Sequence, residues 1–578
     1  MKKKASVINT SLAEIRYDTM NNNNNLDDNT ITTEASSFVL VSSDIPRDGH
    51  PLILSFLARH DTVGLDAVDP STGKKFVTDH VCVNVKASDT TEGEEDDRAA
   101  VDIMVALDVS GSMQSGSKIE LCKKTLETLV RFLLPQDRFG LVTYASDARI
   151  DLPLQRLTPQ YKEKCFQTIR NLYTRGCTNI SAALGLAAQE MRAVDSPNPV
   201  RSVFLLTDGH ANSGIRDMEG LVRLTKNCLT QTSVQQQPIE NLPIEPRAGT
   251  FMGFAIGTES NSNAETALSS ARFTANPIIP ISLHTFGYGK DHNSSLLQEM
   301  ANATEGGTYY FVEDDKGVSA AFGDAIGGVV SVVAQNAVVT LHIPKNALNM
   351  GVAIDKVHHD QVIARENGSY TVTIGDMYAE ETRDIVLTVK LAVPNDEATD
   401  APIPHVTAKL CYTDTLQCSP VETTPVNVNI SRPSGTTLSE ENNHVAAQWM
   451  RVFSLQQMEE AEAYANVNNF TAARASLNVV HNLYQQQTPA VRAHAESASI
   501  FHSTTEMIND ITLNQADYQS IGSKRTRQTL QSHRKQRASA MTPQATAFPI
   551  AGDAAPAKLS HISPYETKSK KAWRNKFA

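Results

Sequence analysis

The sequence predicts a doubly wound α/β domain with a parallel sheet, a flanking β-sandwich and a C-terminal helical hairpin. Between Val101 and about Ala334, short apolar runs alternate with helical patterns, which is typical of a parallel sheet covered on both faces. Strand patterns stand on either side of this region, and residues 439–518 have helical periodicity. At 578 residues, the chain has room for about three or four domains.

The N-terminal part combines a polar segment with a few strands. Residues 1–37 include five consecutive asparagines, and we predict that they are disordered. Residues 38–98 contain three β-like stretches and then an acidic linker; the stretches are Phe38–Val41, Leu52–Ala58 and Phe76–Val85. Three strands are too few to fold well alone. We therefore expect 38–98 to pair with strands of residues 335–432 in one β-sandwich.

The α/β domain is predicted to span residues 101–334. Its predicted strands are Ile103–Leu107, Phe139–Tyr144, Val203–Leu206, Ile281–Phe286 and Thr308–Val312. Its predicted helices are Lys118–Leu134, Pro159–Leu172, Ile180–Arg192, Met218–Leu229, Ser294–Ala303 and Val318–Val333. A long Gln-, Pro- and Ser-rich connection at 235–280 is predicted to be a flexible insert.

Two segments follow the sandwich strands of 335–432. Residues 439–518 carry two apolar helix faces separated by a turn near Asn466–Asn469, which predicts an αα-hairpin. Residues 519–578 are predicted to form a basic disordered tail. From Ser523 to Ala578 the chain has 12 Lys and Arg against 2 Asp and Glu, whereas the whole chain has a net charge of −12. We expect nucleic-acid or acidic-lipid binding only through this tail.

Composition argues against several classes of protein. No apolar run is long enough to span a bilayer, and the polar N-terminus does not resemble a signal peptide. The seven cysteines are odd in number and contain no C-x-x-C pair, which disfavours a zinc module and a disulfide scaffold. We expect a cytoplasmic protein with reduced thiols, the nucleus being the alternative location.

Oxygen-bearing side chains follow the predicted strands where functional sites of α/β sheets lie. The first strand leads into Asp108, Ser110 and Ser112, and the third leads into Asp208. Thr178 stands just before a predicted helix. In doubly wound sheets the carboxyl ends of the strands meet at the ligand-binding edge, so we expect these five residues to lie together.

Two carboxylates and three hydroxyls make a ligand set for a hard divalent cation. Such a set suits Mg²⁺ or Mn²⁺ and, with no imidazole or thiolate, disfavours zinc. Shared between direct and water-mediated contacts, these groups would leave one octahedral position open. An Asp or Glu of a partner protein could complete the coordination at that position.

The five residues resemble the metal-ion-dependent adhesion site of the von Willebrand factor A (vWA) family. The family pattern is D-x-S-x-S with a distant Thr and a distant Asp. The resemblance implies a cation-dependent protein-interaction module, in which the serines and Thr178 contact the metal and Asp108 and Asp208 act directly or through water.

A wider resemblance rests on three further segments of the sequence: His284–Gly289, Gly306–Phe311 and Ile326–Val333. They are similar to plant vWA proteins that carry a RING finger and act as ubiquitin ligases, and to vWA proteins with an intein-like module. The chain shows neither the closely spaced Cys and His of a RING nor an intein-like module.

We predict a non-enzymatic binding module and keep three alternatives. One is an adaptor or subunit of a ubiquitin ligase whose RING lies in another chain. The second is a P-loop-like NTPase, because Gly111–Lys118 approaches G-x-x-x-x-G-K-[ST]. There, however, the lysine falls one residue late. The third is a vWA domain with a purely structural role.

Overall fold

The computed structural model describes residues 51–69, 73–89, 98–208, 211–230, 280–313, 315–366, 368–394, 399–512, 515–538 and 563–577. All of them belong to one structural unit, Ser43–Ala578. The predictions for residues 1–37, for strand Phe38–Val41 and for all but the last residue of the 235–280 insert lie outside the described residues.

The α/β domain is built on a six-stranded sheet. Its strands are β3 (Val101–Asp108), β4 (Arg138–Tyr144), β5 (Ala148–Arg156), β6 (Val200–Thr207), β7 (Ser282–Tyr288) and β8 (Thr308–Val312), in the order β5-β4-β3-β6-β7-β8. Every residue of the central strands β3 and β6 is buried. This burial explains their continuous apolar sequence, since helices cover both faces of the sheet.

The sheet is mixed rather than wholly parallel, because β5 pairs with β4 in the antiparallel direction. We did not predict this strand. Its sequence alternates apolar and polar residues instead of forming an apolar run, as suits an edge strand that is covered less completely than the central strands.

The helices of this domain lie close to their predicted positions. They are α1 (Lys118–Phe132), α2 (Pro159–Arg170), α3 (Ile180–Arg192), α4 (Met218–Leu229), α5 (Ser294–Asn302) and α6 (Asp315–Val329). One core joins α1, α2 and α6 to the sheet, and a second core joins α3, α4 and α5 to it. The predicted helix Val318–Val333 ends four residues early, because a strand of the sandwich begins at Val332.

The β-sandwich is assembled from both sides of the α/β domain. Its four-stranded sheet has the order β1-β2-β13-β10 and contains β1 (Leu52–Ala58), β2 (Thr78–Ala87), β10 (Ala353–His358) and β13 (Thr382–Lys390). Strand β2 pairs along its length with β13, almost 300 residues later in the chain. The α/β domain is therefore inserted between two strands of one sheet.

The second sheet of the sandwich comes wholly from the later segment. It contains β9 (Val332–His342), β11 (Val362–Ala364), β12 (Tyr370–Tyr378), β14 (Thr399–Asp414), β15 (Ser419–Glu422) and β16 (Val426–Arg432). A short helix, α7 (Lys345–Asn349), follows β9. The two sheets share one apolar core, to which β2 contributes Val81, Val83 and Val85.

The C-terminal helices extend beyond the predicted hairpin. They are α8 (Asn443–Asn466), α9 (Phe470–Gln486), α10 (Pro489–Ala493), α11 (Ala495–Thr512) and α12 (Gln515–Asp517). The turn predicted near Asn466–Asn469 separates α8 from α9. Within the described ranges, no helix has the apolar length that a bilayer crossing requires.

The prediction of a disordered tail over 519–578 is wrong for two described segments. After a single π-helical turn, Tyr518–Gly522, the chain forms α13 (Ser523–Lys535), and α14 (Lys568–Phe577) lies near its end. Trp573 and Phe577 of α14 belong to the core of the α/β domain. These two segments look unfolded in the sequence because they are poor in apolar residues, but contacts with distant parts of the chain stabilise them.

Ion pairs explain why this basic segment is ordered. Its arginines face acidic residues of the rest of the molecule: Arg525 pairs with Glu313, Arg527 with Glu462, Arg534 with Asp360, Arg537 with Glu381 and Arg574 with Asp324. In these segments the positive charge of the C-terminal part is thus complementary to acidic residues elsewhere in the same chain. The paired arginines form ion pairs within the molecule.

Candidate functional site

The candidate site lies at the carboxyl edge of the six-stranded sheet. Asp108 is the last residue of β3, and Asp208 directly follows β6. The two strands are parallel neighbours with Leu107 opposite Leu206. The strand register therefore brings both carboxylates to the same edge, as the sequence pattern predicted.

The turn after β3 is held by the Asp108 carboxylate. Its Oδ1 accepts a hydrogen bond from the backbone N–H of Ser110 at 2.8 Å, and its Oδ2 accepts one from the Thr207 hydroxyl at 2.8 Å. Ser110 then precedes a 3₁₀ helix, Gly111–Ser117. Asp108 thus orients the serine-bearing turn and links it to the end of β6.

A chain of polar contacts crosses the edge between the two strands. The hydroxyls of Ser110 and Ser112 lie 3.0 Å apart, and Ser112 Oγ donates to Asp208 Oδ1 at 2.7 Å. The other oxygen of this carboxylate, Asp208 Oδ2, accepts from Lys118 Nζ at 2.5 Å. Three of the five predicted residues, Ser110, Ser112 and Asp208, therefore form a continuous chain of contacts. The chain ends at the ammonium group of Lys118.

Thr178 approaches the same edge of the sheet from the loop before α3. Its backbone N–H donates to Asn212 Oδ1 at 2.7 Å, and Asn212 N–H donates to the carbonyl of Thr178 at 3.1 Å. The next residue, Asn179, caps α3 by accepting from the N–H of Ala182. Helix capping and the pair of bonds to Asn212 together position the threonine.

The side chains of the site differ in their exposure. Asp108, Ser110, Thr178 and Asp208 are buried, whereas Ser112 is exposed. Burial raises the pKa of Asp108 to about 6, although hydrogen bonds from Ser110 and Thr207 favour its charged form. A cation nearby would oppose that effect of burial, because an opposite charge stabilises the carboxylate.

A cavity of about 360 Å³ opens over three of the five predicted residues, Ser112, Thr178 and Asp208, whereas Asp108 and Ser110 do not line it. It is lined by Ser112, Ser115, Lys118, Thr178, Asp208, Asn212 and Asp291. Four of these residues, Ser115, Lys118, Asn212 and Asp291, are not among the predicted site residues. Asp291 follows the end of β7 by three residues, and its position after a strand is a signal that the sequence carries. The role of Asn212 depends on its hydrogen bonds with Thr178 in another loop, so no pattern in the sequence around Asn212 indicates it.

The P-loop reading does not fit this geometry. Residues Gly111–Ser117 form a 3₁₀ helix, and the ammonium of Lys118 pairs with Asp208. In a P-loop the corresponding backbone N–H groups and lysine surround a phosphate. Here the lysine faces the carboxylate of Asp208, and the negative charges of Asp108 and Asp208 at this edge would repel a phosphate.

The comparison with known families agrees with the fold. A family model described as the von Willebrand factor type A domain matches residues 102–323. Among solved structures, a von Willebrand factor type A protein from Catenulispora acidiphila matches with a TM-score of 0.54 at 14% identity, covering 83% of this chain and 98% of that one. At this identity the likeness shows the fold alone.

Two relatives match part of their own length. The E3 ubiquitin-protein ligase WAV3 of Arabidopsis thaliana is 25% identical over an alignment of 372 residues, and the match covers 62% of this chain and 40% of that protein. The uncharacterized protein YfbK of Escherichia coli is 34% identical over 127 residues, or 22% of each protein. The chain thus spans less than half of the length of either relative.

Proposed function

Because residues 102–323 form a von Willebrand factor type A domain, we propose that this chain is a cation-dependent protein-interaction module. Asp108, Ser110, Ser112, Thr178 and Asp208 would hold a divalent ion, Mg²⁺ or Mn²⁺, at the edge of the sheet. An Asp or Glu of the partner would complete the coordination of that ion. The module itself would carry out no reaction.

The observation that carries the proposal is the polar chain from Ser110 through Ser112 to Asp208. It brings hydroxyl and carboxylate oxygens to one point, and Lys118 already places a positive charge there. Hard divalent ions prefer this type of oxygen set. The exposed hydroxyl of Ser112 lies at the side from which a partner would approach.

Removing one carboxylate tests the ion site. We expect Asp108→Asn and Asp208→Asn to abolish binding of Mg²⁺ and Mn²⁺ to the full chain, measured by calorimetric titration. Circular dichroism should show that both variants remain folded, since asparagine keeps the shape of the side chain. The matched control is Asp291→Asn, which removes a carboxylate from the same cavity outside the motif and should retain binding. Undiminished ion binding in both motif variants would refute the site.

The docking step has its own test. Partner proteins that the immobilised wild-type chain captures in the presence of Mg²⁺ should no longer be captured when EDTA is added. The Asp208→Asn chain should likewise fail to capture them in Mg²⁺. Capture that is equally strong in all three conditions would place the binding surface elsewhere on the molecule.

A second candidate function is an adaptor or subunit of a ubiquitin ligase. It is favoured by the 25% identity with WAV3, whose name describes a ubiquitin ligase. In that case the RING finger would be supplied by another chain. Copurification of ubiquitin-conjugating or ubiquitin-ligase components with the wild-type chain would support this candidate.

A further inference from the structure

A second group of metal-ligating side chains lies far from the edge of the α/β sheet. Cys82 is on β2, Asp384 is on β13 and His444 is in the first turn of α8. In the sandwich sheet Asn84 stands opposite Asp384, and Cys82 is two residues before Asn84. The two strands therefore present Cys82, Asn84 and Asp384 on one face, where His444 meets them.

These side chains converge on a single carboxylate oxygen. Asp384 Oδ1 lies 2.8 Å from His444 Nε2, 2.8 Å from Asn84 Nδ2 and 3.3 Å from Cys82 Sγ. The donor atoms of Cys82, Asp384 and His444 all lie within 4.8 Å of one another. Cys82 and Asp384 are buried, whereas the His444 side chain is 28% exposed, which leaves an ion a route from solvent.

We propose that Cys82, Asp384 and His444 form a binding site for a thiophilic divalent metal of the zinc class. Thiolate, imidazole and carboxylate are the protein ligands that zinc prefers, at about 2.3 Å from sulfur and about 2.0–2.1 Å from nitrogen and oxygen. Tetrahedral coordination at those lengths separates nitrogen from oxygen by about 3.3 Å and sulfur from oxygen by about 3.5 Å. The N–O and S–O distances therefore lie within about half an ångström of these values, and Cys82 Sγ and His444 Nε2, which lie within 4.8 Å of each other, would close around the ion.

A fourth ligand is available within the same group. The Asn84 carboxamide touches the Asp384 carboxylate, and a half-turn of its amide presents oxygen instead of nitrogen. A water molecule entering beside His444 would serve equally, because this is the exposed side of the group. Either ligand completes a four-coordinate site.

The ligands match the charge of a divalent ion. Cys82 would bind as a thiolate after releasing its proton to solvent, and His444 as a neutral imidazole. A divalent ion with one thiolate and one carboxylate has a net charge of zero. Metal binding thus leaves no uncompensated charge in a buried place.

The neighbouring charged groups are already engaged elsewhere. Arg451 donates to the backbone carbonyl of Asp384 at 3.0 Å, and Glu496 pairs with His494 at 2.6 Å. Arg451 therefore holds the main chain of β13 at Asp384. A metal bound here would connect strand β2 and strand β13 of the sandwich to α8. It would thereby join segments that are hundreds of residues apart in the sequence.

Cobalt titration of the full chain tests this site separately from the proposed adhesion site. Added to metal-stripped protein, one equivalent of Co²⁺ should give the absorption band of a cobalt–thiolate bond, and Zn²⁺ should remove it by displacement. The band reports sulfur ligation, so an ion bound by Asp108 and Asp208 does not produce it. Asp208→Asn should therefore keep the band, whatever becomes of Mg²⁺ binding.

Variants assign the ligands. Cys82→Ser should lose the thiolate band, and His444→Ala should weaken Zn²⁺ binding at least about tenfold. The matched control is Cys228→Ser, which changes another buried cysteine, located in α4, and should leave the band intact. A folded wild-type chain without a thiolate band at one equivalent of Co²⁺ would overturn the proposal, as would a band that persists in Cys82→Ser. The spectrum of the wild-type chain tests the proposal even if a variant does not fold.

Discussion

Lys118 is the residue that most directly controls the charge of the candidate adhesion site. Its ammonium contacts Asp208 Oδ2, and the Lys118 side chain is 24% exposed whereas that of Asp208 is fully buried. The lysine therefore neutralises the carboxylate that a divalent ion would use. Binding of the ion requires this pair to separate or to share the carboxylate.

We accordingly predict that Lys118→Ala strengthens Mg²⁺ binding by roughly tenfold, or about 1.4 kcal/mol. The competing positive charge is removed, while both oxygens of Asp208 remain. The dissociation constant from calorimetric titration measures the effect. Lys124→Ala is the control, since Lys124 is an exposed lysine of the same helix and its loss should change affinity little. A lower affinity in Lys118→Ala would instead mean that the lysine supports the site.

At the scale of the elements, Glu381 fastens the segment after α13 to the sandwich. The carboxylate accepts from Arg537 Nε at 2.9 Å and from an Arg383 guanidinium nitrogen at 2.9 Å. All three residues are buried, and the Arg537 guanidinium also lies 3.7 Å above the ring of Tyr378. One carboxylate thus serves two buried guanidinium groups.

Replacing this carboxylate should be costly. We predict that Glu381→Gln lowers the free energy of unfolding by about 3–5 kcal/mol, because two buried guanidinium groups lose their counter-charge. Denaturant unfolding measures the loss. The control is Glu422→Gln, which breaks an exposed pair with Lys409 and should cost about 1 kcal/mol or less. Equal effects of the two substitutions would contradict the role given to Glu381.

The same carboxylate should contribute to acid sensitivity. Burial alone would raise the pKa of Glu381, but the charges of Arg383 and Arg537 outweigh it and lower the pKa from 4.5 to about 2. A lowered folded-state pKa stabilises the protein above pH 4.5, and this contribution is lost as the pH falls from 4.5 towards 2. The unfolding free energy of Glu381→Gln should therefore fall less steeply across this window than that of the wild type.

Two glycines allow α14 to lie against α6. A Cβ at Gly327 would stand 2.7 Å from Lys570 Cα, and a Cβ at Gly323 would stand 2.6 Å from Arg574 Cα. Backbone atoms of α14 therefore occupy the space that an alanine would need. The close approach lets Trp573 and Phe577 enter the core of the α/β domain.

We predict that Gly327→Ala releases α14 while the α/β sheet stays folded. Hydrogen exchange should show faster exchange across residues 568–577 and unchanged protection of β3 and β6. Gly185→Ala is the matched control, because Gly185 lies in α3 with nothing within 4 Å of its Cβ position. That change should stabilise the protein by up to about 1 kcal/mol through helix propensity. Unchanged protection of α14 in Gly327→Ala would show that the helix has room to shift.

At the scale of the whole molecule, the α/β domain separates in sequence the strands that form the β-sandwich. Strand β2 precedes this domain, and its partner β13 follows it. Strand β2 lies between β1 and β13 in the four-stranded sheet. Without β2, strand β13 would become an edge and the sandwich core would lose apolar side chains. The pairing supports the hypothesis that residues 38–98 and 335–432 form one domain.

This arrangement predicts how fragments behave. Residues 335–432 expressed alone should aggregate or remain unfolded, since an exposed hydrophobic strand edge promotes association. Residues 101–334 should fold alone, because most of the two cores that flank the six-stranded sheet lies within them. Cooperative thermal unfolding, followed by circular dichroism, distinguishes the two cases. A soluble and cooperatively folded 335–432 would contradict the shared-sandwich hypothesis.

Local sequence determined the central sheet and the position of the candidate adhesion site. Buried parallel strands have continuous apolar sequences, so β3 and β6 could be recognised, and parallel pairing brings Asp108 and Asp208 to one edge. The edge strand β5 could not be recognised in this way, because its residues alternate between apolar and polar. Lys118 was visible in the sequence, but only the fold shows that its ammonium contacts Asp208.

Only the tertiary structure decided the contacts between distant segments. Cys82 and Asp384 are 302 residues apart, and Asp384 and His444 are 60 apart, so no spacing pattern could reveal their convergence. The order of the basic C-terminal segments likewise depends on carboxylates such as Glu313 and Glu381 in other parts of the chain. Local composition records which charges a segment carries, whereas their partners are chosen by the packing of the whole molecule.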